Sequence, residues 1–437
     1  MFSVAQRCLN FPVRDSGAWS LADSKEIRIA VLGTPEHEGR MCGRAFKILG
    51  VDPIYIHPSH PVLRKNPAPA VILLSREWSV DVRHAAIEAR RHGIPVVYIM
   101  DGIIEWAYLW QNWGFVKPEG TVLQPLIASD LCVIGQHPAR ILAGLGLADK
   151  IHIVGLPRLD GIKRQRVIDQ DQPRRIVVAT AKTFGHNTAH KVYVRAALRD
   201  LKDWFNSHPE LTPVWRINEE LAAELAVVPS MGGAMVEMLQ SASGVVSFTS
   251  TVLLEAMLIG IPTAQIDYRT VPQYVQTAWE IRCAEQIDGV IQELLFAPPE
   301  RLALQEANLR DELELGDASA RLAAVIRNAV DKNALEAAAE ARHGPVVGRI
   351  DFRQIHTHLS AFAVSPMARL QYELDATYQL WERERERVQH AENKLASLRG
   401  EISIMFEDRW IKLLRMLAGF PGFRKTGRIL SRLIALD

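Results

Sequence analysis

Short runs of apolar residues alternate with amphipathic segments along most of this chain, from about residue 27 onward. The runs are four to six residues long, rich in β-branched residues and mostly apolar, which is typical of strands buried on both faces of a parallel sheet. The segments between them carry apolar residues at helical spacing. The pattern therefore predicts an α/β protein in which helices cover parallel sheets.

The first series of elements covers residues 27–157, and the 26 residues before it show no clear period. Helices are predicted at 40–49, at 80–91 and from about residue 138. Strands are predicted at 27–32, 53–56, 70–74, 95–100, 131–134 and 151–154. The series predicts one complete Rossmann-like domain.

A polar stretch at 158–174 is predicted to link this series to a second one at 175–343. Its predicted strands are 175–179, 213–217, 244–248 and 262–266. Helices are predicted at 189–205, up to residue 240, at 251–259 and over most of 281–339. Two series of similar length predict two Rossmann-like domains that face a cleft. Ligands of such open sheets bind beyond the carboxyl ends of the strands.

Residues 344–437 change character and predict a helical, coiled-coil extension. One row of residues at seven-residue spacing suits a coiled-coil seam and would allow a homo-oligomer, whereas Thr377 and Glu384 interrupt the second row. The first row consists of Leu374, Trp381, Val388, Leu395 and Ile402. The last part, 409–437, has seven Lys and Arg residues and one acid, interleaved with apolar residues. This composition predicts amphipathic helices that bind an anionic membrane surface. A helical hairpin packed on the body is the alternative.

Composition narrows the choice of partners and compartment. The 51 Lys and Arg residues balance 50 Asp and Glu residues, so the net charge says nothing about a polyanionic partner. Outside the basic tail the sequence shows no basic stripe or nucleic-acid-binding motif, so no nucleic acid partner is expected. The four cysteines form no CxxC pair, which argues against a disulfide framework or a zinc site. No stretch of 18 apolar residues and no signal-peptide pattern occurs. We expect a cytoplasmic protein, held peripherally on the inner face of the cell membrane.

The clearest local motif is a hydroxyl-rich turn at 247–251 that follows a predicted buried strand and opens a helix. Backbone N–H groups and hydroxyls at such a position suit a phosphate. Thr249, Ser250 and Thr251 are the candidates, and Glu255 lies one helical turn further on the same face. The alternative is that Ser250 or Thr251 only caps the helix.

The motif, continued by Leu-Glu-Ala-Met and Gly-x-Pro, resembles the donor-binding half of GT-B glycosyltransferases. The chain is most similar to those of bacterial surface polysaccharide (lipopolysaccharide and capsule) synthesis and to the related polyol-phosphate polymerases. The segments 154–160 (Gly-x-Pro-Arg-x-Asp), 179–184 and 267–274 resemble further family motifs in the same order, so the likeness covers roughly 27–300. It implies a nucleotide-sugar donor and a glycan or lipid-linked acceptor.

The resemblance also implies roles for single residues. Lys182 and Thr183 would approach the donor phosphates, and Glu255 would bind the ribose hydroxyls. Arg216 is the stand-in for a basic residue that many relatives carry after the second strand of this domain. Ser247 occupies the position of a Glu in many retaining members, so the stereochemical outcome stays open.

Asp101 is the predicted catalytic base, because it ends the strand at 95–100 where a side chain would face the cleft. A sugar hydroxyl needs such a base in order to attack at neutral pH. The resemblance supports this role, since several related transferases have Asp-Gly here. A simple turn is the alternative for Asp101-Gly102, and Glu105 is the reserve candidate for the base.

Neither a metal nor a cofactor is expected. The only DxD match, Asp169 to Asp171, lies in the linker, and no GxGxxG motif follows the first strand. The sequence predicts a metal-independent glycosyltransferase. It leaves open a polyol-phosphate transferase or a nucleotide-sugar 2-epimerase of the same fold, and a non-catalytic membrane scaffold.

Overall fold

The computed structural model describes residues 28–57, 68–75, 80–103, 123–163, 174–181, 184, 188–230, 232–268, 275–344, 347–350, 385, 387–398, 412 and 416. The chain divides into two compact units. The first unit contains residues 1–186 and 190–364, and the second contains 187–189 and 365–437. The two units are described separately below.

The amino-terminal half of the first unit, termed the first lobe, is built on a sheet of six parallel strands. The strands are β1 (Ile29–Leu32), β2 (Ile54–Ile56), β3 (Val71–Leu74), β4 (Val96–Ile99), β5 (Asp130–Val133) and β6 (Ile151–Ile153). Their order in the sheet is β2-β1-β3-β4-β5-β6. Strands β1, β3 and β4 are buried along their whole length, which explains why their sequences are continuous apolar runs.

Helices α1 (Pro35–Leu49), α2 (Val80–Arg91) and α3 (Gln136–Leu142) belong to this lobe. Helix α1 begins at Pro35 and not at residue 40, as the pattern predicted. Thr34 is its N-cap and accepts a hydrogen bond from the backbone N–H of His37. Proline is favoured at the first helical position because it lacks an N–H that would be unpaired there. Capping residues thus start the helix one turn before its apolar stripe.

The second lobe has a sheet of five parallel strands in the order β11-β10-β9-β7-β8. They are β7 (Arg174–Ala179), β8 (Leu211–Arg216), β9 (Gly244–Ser247), β10 (Thr263–Ile266) and β11 (Trp279–Ile281). The first four were predicted, and β11 was missed. Its sequence, Trp-Glu-Ile, has a charged residue at its centre and so forms no apolar run. The predicted α/β fold with two Rossmann-like domains in series is confirmed.

Helices cover both faces of the second sheet. Helices α4 (Thr188–Asn206), α5 (Glu219–Leu225) and α8 (Ile287–Phe296) share one buried apolar cluster with strands of the sheet, and α6 (Met235–Gln240) and α7 (Val252–Ile259) share the other. Alternate residues of β7 contribute to opposite clusters, Val178 to the first and Val177 to the second. This alternation follows from the two-residue period of a strand.

The last helices of the first unit connect the two lobes. Helix α9 (Pro299–Glu312) contacts α7 of the second lobe and α3 of the first, and α10 (Ala318–His343) packs on α1 and α2. The backbone N–H groups of Ala318 and Ser319 donate to the carboxylate of Asp160, at 3.0 and 2.8 Å. Asp160 therefore caps α10 and ties it to the segment that leaves β6. The domain limits derived from the sequence stay predictions.

Little of the second unit is described. Residues 387–398 are helical and exposed there, and most of the predicted coiled coil and basic tail lie outside the described residues. No helix in the described part of the chain combines the length and the hydropathy needed to cross a bilayer.

Candidate donor and catalytic site

The strand order creates a crevice in the second sheet where ligands of open α/β folds bind. Strands β7 and β9 are neighbours although β8 lies between them in sequence, so the chain leaves their carboxyl ends in opposite directions. Ser247, at the end of β9, is fully buried, and its hydroxyl donates to the carbonyl of Ala179 at 2.9 Å. The hydroxyl-rich turn at 247–251 thus begins directly beside the end of β7.

The turn residues do not act as ordinary caps of helix α7. Thr251 is the N-cap residue, but its side chain makes no capping hydrogen bond. The hydroxyl of Ser250 accepts from the N–H of Val252 at 3.4 Å, a long contact. Helix capping therefore does not explain why this turn carries several hydroxyl groups. This favours the hypothesis that the turn binds a phosphate.

Two polar residues beside the turn were missed by the sequence analysis. Gln265 on β10 is fully buried and donates from Nε2 to the Thr249 hydroxyl at 3.4 Å, and its Oε1 accepts no bond within the described residues. The buried hydroxyl oxygen of Thr180, directly after β7, likewise has no partner there. Buried polar atoms are normally paired. A polar residue inside the apolar strand at 263–266 was the signal that could have revealed Gln265.

Three further residues were predicted to bind the nucleotide-sugar donor, and the structure describes one of them. Arg216 is half-buried at the end of β8, and its guanidinium donates to the carbonyl of Ser230. That bond ties the arginine to a nearby loop. Lys182 and Thr183 lie outside the described residues. Their roles, and that of Arg216, stay predictions.

Glu255 is buried in α7 and paired with an arginine from a distant part of the chain. Its Oε1 lies 2.6 Å from Nη1 of Arg158, and its exposed fraction is 7%. Arg158 belongs to the segment that leaves the first lobe, 97 residues earlier. The Gly-x-Pro-Arg-x-Asp segment and the Leu-Glu-Ala-Met segment, noted separately in the sequence, therefore meet in space.

The predicted base lies at a point where the two lobes touch. Asp101 is exposed after β4, and Gly102, the next residue, is buried against Thr251. A Cβ at Gly102 would lie 2.5 Å from the Thr251 hydroxyl oxygen, so only glycine fits without movement. The structure thus brings Asp101 to the edge of the hydroxyl-rich turn. The reserve candidate, Glu105, lies outside the described residues.

The first sheet has its own crevice, between β1 and β3, and a buried carboxylate occupies it. Glu38 is 1% exposed and accepts a hydrogen bond from the Ser75 hydroxyl at 2.8 Å. Glu38 lies in the first turn of α1 and Ser75 directly follows β3, so the bond spans the two strand ends. Glu38 was not predicted as a buried residue, since the predicted helix began only at residue 40.

A buried histidine–glutamate pair joins the two lobes elsewhere. Nδ1 of His137 in α3 lies 2.7 Å from Oε1 of Glu312 at the end of α9, and the N–H of Gln276 donates to the same oxygen at 2.8 Å. Burial raises the pKa of the Glu312 carboxyl, and the bond from His137 opposes that rise. Its Oε2 is buried and accepts no bond from any described residue.

We expect Glu312→Gln to change how stability depends on pH. Because the native pKa of Glu312 is raised, the native state binds more protons than the unfolded state between about pH 4.3 and that raised pKa. The wild type therefore loses stability as the pH rises through this window, and the variant lacks that loss. Urea unfolding at several pH values measures the free energy of unfolding of both proteins. As the pH rises, this free energy should increase in the variant relative to the wild type, by about 1.4 kcal/mol per unit of pKa shift.

The matched control for this experiment is Glu300→Gln, which changes an exposed glutamate on the same helix. It should leave the pH dependence as in the wild type. A Glu312→Gln protein with the wild-type pH dependence would contradict the raised pKa.

The described residues contain no group of three or more His, Cys, Asp or Glu side chains arranged to hold a metal ion. What they do bring together is the loop that carries Asp101 on one lobe and, on the other, hydroxyls, a helix N-terminus and an ion-paired carboxylate. That set of groups is suited to proton transfer on one side and to binding a phosphorylated ribose on the other.

No protein-family model matches the chain, and no curated protein matches it. Solved structures do. The glycotransferase of kitacinnamycin is 14% identical with a TM-score of 0.46, over 70% of this chain and 100% of that one. A putative UDP-N-acetylglucosamine 2-epimerase from Listeria monocytogenes is 12% identical with a TM-score of 0.48, over 70% and 98%. The wall teichoic acid polymerase TagF is 9% identical with a TM-score of 0.41, over 70% and 90%.

Similarity at this level does not discriminate between a transferase and an epimerase. The topology of the two parallel sheets establishes the fold.

Proposed function

We propose that the protein is a metal-independent glycosyltransferase that moves a sugar from a nucleotide-sugar donor to a hydroxyl acceptor. The observation that carries the proposal is the packing of Gly102 against the hydroxyl of Thr251. This contact places the residue after Asp101 beside the hydroxyl-rich turn, which supports a cleft shared by the proposed base and the proposed donor site. The resemblance of the ordered motifs to GT-B glycosyltransferases supports the same activity.

In this proposal Asp101 takes the proton of the acceptor hydroxyl as its oxygen attacks the anomeric carbon. The bond between that carbon and the donor phosphate oxygen breaks, and its electron pair stays on the phosphate. Thr249, Ser250 and Thr251, with Lys182 and Thr183, stabilise the charge on the leaving phosphate. Hydrogen-bond donors that are already oriented toward the developing charge supply much of the rate enhancement in many enzymes.

A nucleotide panel tests the proposal. A nucleotide at 100 times its Kd should stabilise the protein by about 2.7 kcal/mol in thermal unfolding. With the matching nucleotide sugar and a surface-glycan or lipid-linked acceptor, the nucleotide should be released and the acceptor glycosylated. Epimerisation of the sugar without an acceptor would indicate a 2-epimerase, and transfer of a polyol phosphate would indicate the polymerase chemistry. A protein that binds no nucleotide would be a scaffold.

We further propose that the tail at 409–437 holds the enzyme on an anionic membrane surface, where a lipid-linked acceptor would lie. The basic and apolar composition of the tail supports this. Removal of 409–437 should abolish sedimentation with vesicles that contain phosphatidylglycerol, and salt should weaken binding of the intact protein. Each cation contributes about 1 kcal/mol at such a surface, and salt screens that attraction.

Neutral phosphatidylcholine vesicles are the control for the tail experiment and should bind weakly. Vesicle binding that survives the truncation would contradict the anchor. Aggregation of the truncated protein, together with no vesicle binding by the intact one, would favour the packed hairpin.

We propose that a second copy of the chain covers the heptad positions. Val388 and Leu395, seven residues apart in the helical stretch at 387–398, are 56% and 54% exposed, which supports a partner helix. Sedimentation equilibrium should give a multiple of 49.0 kDa for the intact protein, and Leu395→Glu should lower that mass. A monomer in both cases would contradict the coiled coil.

A further inference from the structure

Arg158 has no role in the proposed chemistry, yet its side chain is directed at the residue expected to bind the donor ribose. Its Nη1 donates to Oε1 of Glu255 at 2.6 Å. The side chains are 27% and 9% exposed, so the pair is largely shielded from solvent. A carboxylate buried to this extent needs a charged or hydrogen-bonding partner, and Arg158 is that partner.

Within the described part of the chain, only one oxygen of Glu255 has a hydrogen-bond partner. Among the described residues Arg158 is the one hydrogen-bond partner of this carboxylate, and Oε2 accepts no bond from them. Glu255 lies one turn after Thr251, whose carbonyl accepts from the Glu255 N–H at 3.1 Å. One turn of helix is about 5.4 Å. Glu255 therefore lies one helical turn from the hydroxyl-rich turn expected to hold phosphate.

The segment that carries Arg158 is held on both sides. Gly155 has a φ of +92°, and a Cβ there would lie 2.6 Å from the carbonyl oxygen of Glu314, so close packing requires glycine. Asp160, two residues after Arg158, accepts the N–H groups of Ala318 and Ser319. Arg158 thus projects from an anchored backbone and holds Glu255 in one orientation.

We propose that Arg158 is a positioning residue that makes the site selective for ribonucleotides, by orienting the free oxygen of Glu255 toward the ribose 2′-hydroxyl. This inference rests on the proposed function and defines its donor class. A deoxyribonucleotide lacks that hydroxyl, so the buried carboxylate oxygen would have no hydrogen-bond donor. A hydrogen bond to a charged group supports a preference of about ten- to hundredfold for the ribonucleotide.

Calorimetry on the full-length protein tests the inference with three pairs of probes: UDP and dUDP, CDP and dCDP, GDP and dGDP. For the pair that binds, the wild type should prefer the ribonucleotide by about ten- to hundredfold. Arg158→Gln should lose most of this preference by weakening ribonucleotide binding, with the deoxyribonucleotide little affected. Arg158→Lys keeps the charge without the planar guanidinium. Its ribonucleotide preference should lie between those of the wild type and Arg158→Gln.

Arg140→Gln is the matched control. Arg140 also pairs with a carboxylate that is distant in sequence, Asp311, through contacts of 2.8 and 2.5 Å, and no contact joins it to Glu255 among the described residues. This variant loses an ion pair of similar length, in a more exposed position, and should keep the full ribonucleotide preference. Melting temperatures of all variants separate a loss of folding from a loss of selectivity.

Each outcome decides the inference. A wild type that binds a nucleotide without preferring the ribose form would overturn it and leave the proposed function standing. A full preference in Arg158→Gln, or in Arg158→Lys if the first variant does not fold, would also overturn it. A wild type that binds no nucleotide of the panel would remove the proposed function and this inference together.

Discussion

Asp101→Asn should lower turnover about 10²–10⁴-fold, the range expected for loss of a general base. The amide keeps the size and polarity of the side chain but accepts no proton from the attacking hydroxyl. Donor affinity should hardly change, because the residues proposed to bind the donor belong to the second lobe. Steady-state rates at saturating donor, with calorimetry of donor binding, measure the two effects separately.

A matched substitution, Asp52→Asn, controls for loss of a carboxylate as such. Asp52 is exposed and precedes β2, so it lies toward the amino ends of the strands in the same sheet. Its variant should retain normal turnover. Near-normal turnover in Asp101→Asn would exclude Asp101 as the base, and Glu105→Gln would then be tested.

Glu255→Ala should weaken nucleotide binding by roughly 2–4 kcal/mol, because hydrogen bonds from ribose hydroxyls to a charged acceptor are lost. The alanine also leaves the guanidinium of Arg158 without its partner, which adds a cost to the free protein. Isothermal calorimetry gives the change in affinity, and thermal unfolding gives the change in stability.

Glu237→Ala removes an exposed glutamate from the neighbouring helix α6 and should leave both quantities as they are. Unchanged nucleotide affinity in a folded Glu255→Ala protein would show that the nucleotide binds elsewhere. The same result would remove the basis for the selectivity assigned to Arg158.

The sequence alone determined the elements wherever burial leaves a regular pattern. Strands β1, β3 and β4 are buried on both faces, so each is an uninterrupted apolar run that can be recognised without a structure. The register of Thr251 and Glu255 also follows from local geometry, because residues four apart share one face of a helix. Strand β11 escaped prediction because its pairing with β10, and not its composition, makes it a strand.

Only the tertiary structure decided which of these residues meet. Asp101 and Thr251 are 150 positions apart in sequence, and the packing of Gly102 on Thr251 depends on how the two lobes are joined. The pairing of Arg158 with Glu255 and of Ser75 with Glu38 is likewise long-range, and no period or propensity encodes it. Sequence patterns report the local environment of each residue, whereas a site forms where distant segments converge on the carboxyl ends of the strands.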